Sequence, residues 1–336
     1  MPHAIARIDP VPPEAARPLW SVMIPTYNGT DYLARALETV LAQDPGPEHM
    51  QIEVVDDCSP KDDPEALVRE VGKGRVLFHR NGQNLKLGNF NVCLERSRGY
   101  LVHVLHQDDY VAPEFYRKMA DAFKEVPECA AIFSQSVLVD SEEKLLDVTK
   151  FCSSLKAVSR DPGEFLMANP LRTPGVVVRR SFYEQYGGFD TRFANVGDWE
   201  MWVRAIVHGG ARMLNEPLAY YRQHDQSTTS ENGRSAANLR DHFRLSAKWQ
   251  AEGLQGFDHI AFDRRTVRLA FLQAVRFAVH GDREAAAANW QVWQEHATPM
   301  QYPLVCCAGF LAIGQMAARR VRRSFRRDRV PISGRR

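Results

Sequence analysis

Between residues 100 and 110 the chain reads YLVHVLHQDDY, an apolar, β-branched run that stops at two adjacent carboxylates, Asp108 and Asp109. A buried strand ending in paired acids puts them at the carboxyl edge of a sheet. Earlier apolar runs at 19–24, 51–55 and 75–78 predict three further strands. Between the first two, Leu33, Leu37, Val40 and Leu41 form one stripe at helical spacing. That stripe predicts a helix over 31–43, stopped by Asp44-Pro45-Gly46-Pro47. A polar helix follows the second strand, and the Asn-rich stretch 81–91 leads into a helix ending near Gly99. Strands alternating with helices predict an α/β fold with a mainly parallel central sheet, flanked by helices and joined by right-handed crossovers.

After residue 130 the pattern changes. Residues 130–139 and 173–178 predict strands separated by a polar excursion, and an amphipathic helix starts at Gly197. From 239 onward the chain reads helical: Phe271, Val275, Ala278 and Val279 share one stripe, His280-Gly281-Asp282 breaks it, and a second helix over 283–296 carries Trp290 and Trp293. The expected division is a flexible Pro- and Ala-rich leader at 1–18, a main domain at 19–230, a C-terminal helical appendage at 231–300 and a tail at 301–336. Residues 304–318 contain only one strongly polar side chain, Gln315. As a helix they would reach roughly 22 Å, short of the roughly 30 Å hydrocarbon core of a bilayer. An arginine cluster follows at once, so this segment is either an anchor on an anionic membrane surface or a packed helix with a basic tail.

Composition changes the picture in two places. At 336 residues, 44% hydrophobic and 25% charged, the chain has the make-up of an ordinary globular protein. Its formal net charge of +2 conceals nine arginines and one acid within 319–336, so the basic character belongs to the tail. With Phe325 the only aromatic residue among them, no nucleic-acid partner is expected. Cys58, Cys93, Cys129, Cys152, Cys306 and Cys307 lack metal-site or redox spacing and predict reduced thiols. The N-terminal stretch has no apolar run of signal-peptide length. The expected location is therefore cytoplasmic, with peripheral attachment to the membrane's cytoplasmic face if the tail is an anchor. A dinucleotide-binding dehydrogenase is disfavoured, since no G-x-G-x-x-G follows the first strand.

Tyr27, Asp57 and the Asp108–Asp109 pair all follow predicted strands immediately, which gathers them at one sheet edge. Adjacent carboxylates repel unless a cation or proton offsets them, and a divalent metal carrying a phosphate-bearing substrate would do so. Four segments then carry a resemblance: VMIPTYNGTDYLARALETVLAQ from Val22, EVVDDCSP from Glu53, NLKLGNFNVCLERSRGYLVHVLHQDD from Asn84, and GGFDTRFANVGDWEMWVRA from Gly187. In that order they resemble a family 2 glycosyltransferase of the GT-A fold, over roughly the first two-thirds of the chain.

The resemblance implies an inverting, metal-dependent, non-processive transfer of sugar from a nucleotide-diphosphate donor, a UDP- or dTDP-sugar, to a hydroxyl of a glycan or lipid-linked acceptor in envelope polysaccharide synthesis. It implies Tyr27 and Asp57 as base contacts on a turn shaped by Thr26 and Asn28, with Asn91 near the donor. Asp109 is then the ligand of Mg2+ or Mn2+, and Asp108 contacts ribose or a metal-bound water. Asp198 registers on the position of the general base, although Gly197 stands where relatives usually carry an acid. Arg222 would clamp the diphosphate, and His224 would ligate the metal or bond the phosphate. A non-catalytic sugar-nucleotide-binding protein is the alternative.

Overall fold

The computed structural model describes residues 5–224 and 228–298, and the chain divides into two compact units, Met1–Asp225 and Gln226–Arg336. In the first, β1 (Trp20–Thr26) and β2 (Met50–Asp56) are buried along their full length and pair in parallel. Near-continuous apolar sequence suits a parallel strand covered on both faces. Between them, α1 (Thr30–Leu41) buries the predicted stripe, Leu33, Leu37 and Val40, in the same core. The next helix, α2 (Pro64–Gly72), is capped by the Asp63 side chain on the Ala66 N–H and leads to the edge strand β3 (Leu77–Arg80). That strand begins later than expected because Arg75 is drawn to Asp44, Nε lying 2.6 Å from Oδ2. With α3 (Gly88–Arg96) and β4 (Leu101–Val104) the parallel half is complete, in the order β3–β2–β1–β4.

The other half corrects the mainly parallel expectation. After β5 (Tyr110–Val111) and α4 (Phe115–Glu125), β6 (Ala131–Val139) forms a hairpin with β7 (Leu145–Val148). Next, β8 (Val176–Arg179) inserts antiparallel between β4 and β6. Two helices, α5 (Arg180–Tyr186) and α6 (Gly197–Gly209), precede β9 (Ala211–Arg222), which runs parallel to β6 and antiparallel to β5. The chain reaches β8 through a hairpin and irregular backbone, not a crossover helix, so β8 is free to pair antiparallel. Thr173-Pro174-Gly175, expected to open that strand, forms a short 3-10 turn in front of it.

The expected flexible leader is docked over residues 5–18. Ile5 bridges Asp190, Ala6 O accepts the Gly188 N–H at 2.8 Å, and Asp9 O accepts Arg180 Nη2 at 3.1 Å. Ile8 is fully enclosed, 1% exposed, which supplies the apolar burial that holds the segment. Ile8→Ala is expected to cost about 2–4 kcal/mol of unfolding free energy, read from the urea midpoint. An unchanged midpoint would mean that the leader contributes nothing to stability.

Beneath the sheet edge His103 is fully buried, its Nε2 3.0 Å from Pro174 O and its Nδ1 3.2 Å from the Tyr116 hydroxyl. A carbonyl accepts only, so Nε2 carries the proton and Nδ1 accepts from Tyr116. Burial pushes the His103 pKa down to about 3. The unfolded chain therefore takes up a proton below about pH 6.5 that the folded chain refuses. Stability is full above that pH and falls by about 1.4 kcal/mol per unit as pH drops toward the folded value. His103→Gln is expected to flatten the decline in melting temperature between pH 7 and 5; a slope matching wild type would refute this.

The second unit contains α7 (Thr228–Arg234), α8 (Ala237–Ala251), α9 (His259–Val279) and α10 (Arg283–His296) among its described residues. Asp258 and Asp282 cap the last two helices on the N–H groups of Ala261 and Ala285. Leu239, Val267, Phe271, Val292 and Trp293 form the core, whereas Val279, expected on the same stripe, ends the helix exposed. The unit begins at Gln226, slightly before the 230/231 boundary expected. Residues 301–336, with the apolar 304–318 run and the arginine cluster, lie outside the described residues. Among the described residues no helix is long and apolar enough to cross a membrane. Cys58, Cys93, Cys129 and Cys152 are free thiols, as expected.

Candidate active site

The parallel half delivers three chain segments, residues 26–29, 57–60 and 105–109, to one edge of the sheet. Gln107 ties the first to the third. Thr26 Oγ1 donates to Gln107 Oε1 at 2.5 Å, the Tyr27 N–H donates to the same oxygen at 2.7 Å, and Gln107 Nε2 donates to Tyr27 O at 3.3 Å. Position 29 must be glycine for this approach, since a Cβ there would fall 2.0 Å from the Gln107 amide carbon. Asn28, at φ 49°, donates its backbone N–H to Ser59 Oγ and accepts the Lys61 N–H on Oδ1. Thr26 and Asn28 thus shape the turn, and the Tyr27 side chain stands out from it, 41% exposed.

Two residues expected at the donor are otherwise engaged. Asp57 is buried and accepts from Asn81 Nδ2 at 2.9 Å and from the Leu85 and Lys86 N–H groups at 2.8 Å each, which makes it the anchor of the 81–86 loop. Asn91 commits both ends of its amide to the Phe189 backbone, donating at 3.0 Å and accepting at 2.7 Å. It joins α3 to the segment before α6 and does not present its side chain to a ligand.

The acid pair sits in a turn closed by the Asp109 N–H on His106 O. Asp109 is 1% exposed; its Oδ1 accepts the Arg222 N–H at 2.9 Å, and its Oδ2 is buried with no hydrogen-bond partner. Burial, then the neighbouring Asp108 charge, hold the Asp109 carboxyl well above the usual carboxylate range. Burial acts on Asp108 in the same sense, but the hydrogen bond from His224, the His106 and His224 charges and a backbone hydrogen bond together outweigh it, and its pKa is lowered. His106, Asp108 and Asp109 each offer a ligand atom within 4.8 Å of the others. An orphaned buried carboxylate oxygen beside a second acid and an imidazole fits a divalent cation.

His224 was expected at the metal or the phosphate. Its Nε2 lies 3.0 Å from Asp108 Oδ2, so it braces the acid beside the cluster. Arg222 was expected at the diphosphate. It is buried, and its guanidinium donates to the backbone oxygens of Asp108, Asp140 and Ser141 and to Glu143 Oε1. Its guanidinium carbon also lies 4.8 Å from the Tyr32 ring centre. Four of its five N–H donors are thus engaged on the acid turn and the neighbouring 140–143 loop.

Asp198 lies in the first turn of α6, where its Oδ1 accepts the Trp199 N–H at 2.7 Å and its Oδ2 accepts Asn169 Nδ2 at 3.2 Å. Burial raises its pKa, against the opposing pull of that N–H, His106, Arg172 and Asn169. Glu200 is held in a buried pair with Arg204. The unusual Gly197 also has a physical reason: a Cβ would sit 2.5 Å from Leu87 Cδ2. Leu87 occupies the space that a side chain at 197 would need. Arg172, stacked over Tyr221 at 5.4 Å, acts electrostatically on both Asp109 and Asp198. Asn169 and Arg172 were missed from sequence, and no local signal marks them.

Residues 21–163 match the family model described as glycosyl transferase family 2. The succinoglycan biosynthesis protein ExoO of Rhizobium meliloti is 34% identical over 60% of this chain and 59% of its own length. TuaG of Bacillus subtilis, named for teichuronic acid biosynthesis, is 27% identical over 66% of this chain and 85% of its own. Across curated relatives the chain spans from about half to most of their length. The mannosyltransferase PcManGT from Pyrobaculum calidifontis, solved with GDP-Man and Mn2+, has a TM-score of 0.54 at 18% identity, covering 91% of this chain and 84% of that one. That likeness concerns the fold. With the family model matched across the sheet edge that gathers Tyr27, Asp108 and Asp109, this chain carries a family 2 glycosyltransferase domain over residues 21–163 and has the GT-A fold.

Proposed function

We propose that the enzyme transfers a sugar, with inversion, from a nucleoside-diphosphate donor to a hydroxyl of a glycan or lipid-linked acceptor in envelope polysaccharide synthesis. The observation that carries this reading is the buried, unpartnered Asp109 Oδ2 beside His106 and Asp108, with Asp198 close enough to act on His106. The exposed Tyr27 ring offers a face to a pyrimidine base, which favours a UDP- or dTDP-sugar. Asp198 takes the acceptor's hydroxyl proton as the oxygen attacks the anomeric carbon and the bond to the diphosphate breaks. One displacement inverts the configuration. A Mg2+ or Mn2+ ion held by Asp109, with Asp108 and His106, would supply charge stabilisation for the leaving diphosphate. Arg172 adds positive charge on the same side, where charge develops.

Names of relatives such as ExoO and TuaG support the envelope-polysaccharide setting. The basic 319–336 tail suits an acceptor carried at an anionic cytoplasmic membrane face. Removing residues after 304 and finding membrane partition unchanged would reject that placement. The reading as a whole is tested by incubating the full chain with a panel of nucleotide sugars and divalent ions. We expect release of nucleoside diphosphate, together with a product of inverted anomeric configuration by NMR. Retention of configuration would exclude the single displacement.

A further inference from the structure

The turn that follows β4 begins with an imidazole. The Asp109 N–H bonds to His106 O at 3.2 Å, which brings the two side chains to the same side of the turn. His106 Nδ1 then stands 3.7 Å from Asp109 Oδ2, beyond hydrogen-bond reach, and Nε2 is buried without a partner. A histidine present only to finish a strand would satisfy at least one nitrogen on a neighbouring group. The ring is also held in place, edge-on to Phe90 at 5.2 Å and 87°, and Phe90 packs on Phe189 at 5.4 Å. A cation at this cluster meets two carboxylates and one imidazole, with Asp108 steadied by His224.

That donor set is not neutral toward the choice of ion. Mg2+ demands oxygen ligands in near-ideal octahedral geometry, whereas an imidazole nitrogen suits first-row transition ions. We propose that His106 ligates the cation through Nδ1 and biases the centre toward Mn2+ or Co2+ and against Mg2+ and Ca2+. This rests on the metal-dependent reading above and adds the residue that sets metal preference.

The test uses the full chain with Mn2+, with and without UDP. Mn2+ binding is followed by electron paramagnetic resonance with Mg2+ as competitor, and nitrogen ligation by spin-echo modulation. Mn2+ should bind at least roughly tenfold more tightly than Mg2+, with a nitrogen coupling present. His106→Asp should abolish the coupling and shrink the Mn2+ over Mg2+ ratio by roughly 10–100-fold, whereas His224→Gln should preserve both. If the Asp variant does not fold, the wild-type competition and nitrogen coupling decide alone. Equal affinity for the two ions, a bound Mn2+ without nitrogen coupling, or a coupling lost only in His224→Gln would each overturn the assignment and leave sugar transfer intact. Absence of any Mn2+ binding, even with UDP, would overturn the metal-dependent reading and this inference together.

Discussion

Replacing Asp198 by Asn is expected to lower kcat for sugar transfer by roughly 10²–10⁴-fold while nucleoside-diphosphate affinity changes by less than about twofold. The amide keeps the shape, and its oxygen can still accept the Trp199 N–H that orients the carboxylate. It cannot take a proton from an attacking hydroxyl. Because burial raises the Asp198 pKa, the acidic limb of wild-type kcat/KM should lie above the ordinary Asp value of about 3.9. Activity rises with pH through that limb, since only the ionised carboxylate is a base. Single-turnover rates together with UDP titration calorimetry separate the two effects. A kcat within experimental error of wild type would remove Asp198 from the chemistry.

Arg222→Met should destabilise the first unit by about 2–4 kcal/mol and weaken divalent-cation binding as well. The cost comes from three backbone oxygens, those of Asp108, Asp140 and Ser141, losing a buried charged donor. Glu143 is partly exposed, so its released charge is screened by water and adds little. The Arg222 N–H to Asp109 survives the substitution, but the turn that holds Asp108 loses its support. Urea denaturation and Mn2+ titration measure the two consequences. A variant of wild-type stability with weakened nucleotide affinity alone would restore Arg222 to the diphosphate.

These two residues also mark how far the sequence could be read. The place of Asp198 at a helix start was legible because the signals for it are local. So were Asp108 and Asp109, whose strand-end position follows from an apolar run and the parallel topology. Arg222 was legible as a basic residue near the site, but whether its donors are saturated depends on carbonyls around 80 and 114 residues away. The role of Gln107 was hidden for the same reason, since its partners Thr26 and Tyr27 are some 80 residues upstream. The mixed half of the sheet was missed because hairpin and antiparallel insertion leave no periodicity that distinguishes them from crossovers. Gly197, read as a departure from the family, turns out to be a packing match with Leu87.

The docked leader has a consequence for synthesis on the ribosome. Ile8 is translated roughly 180 residues ahead of the segment it seals against, around Gly188 and Asp190. At typical elongation rates that is a wait of roughly 10–40 s, during which the nascent domain keeps an uncovered apolar seam. A chaperone that holds the emerging 5–18 segment, or a bulky insertion beside it that blocks its return, would therefore alter the yield of folded enzyme without touching a single side chain of the acid turn.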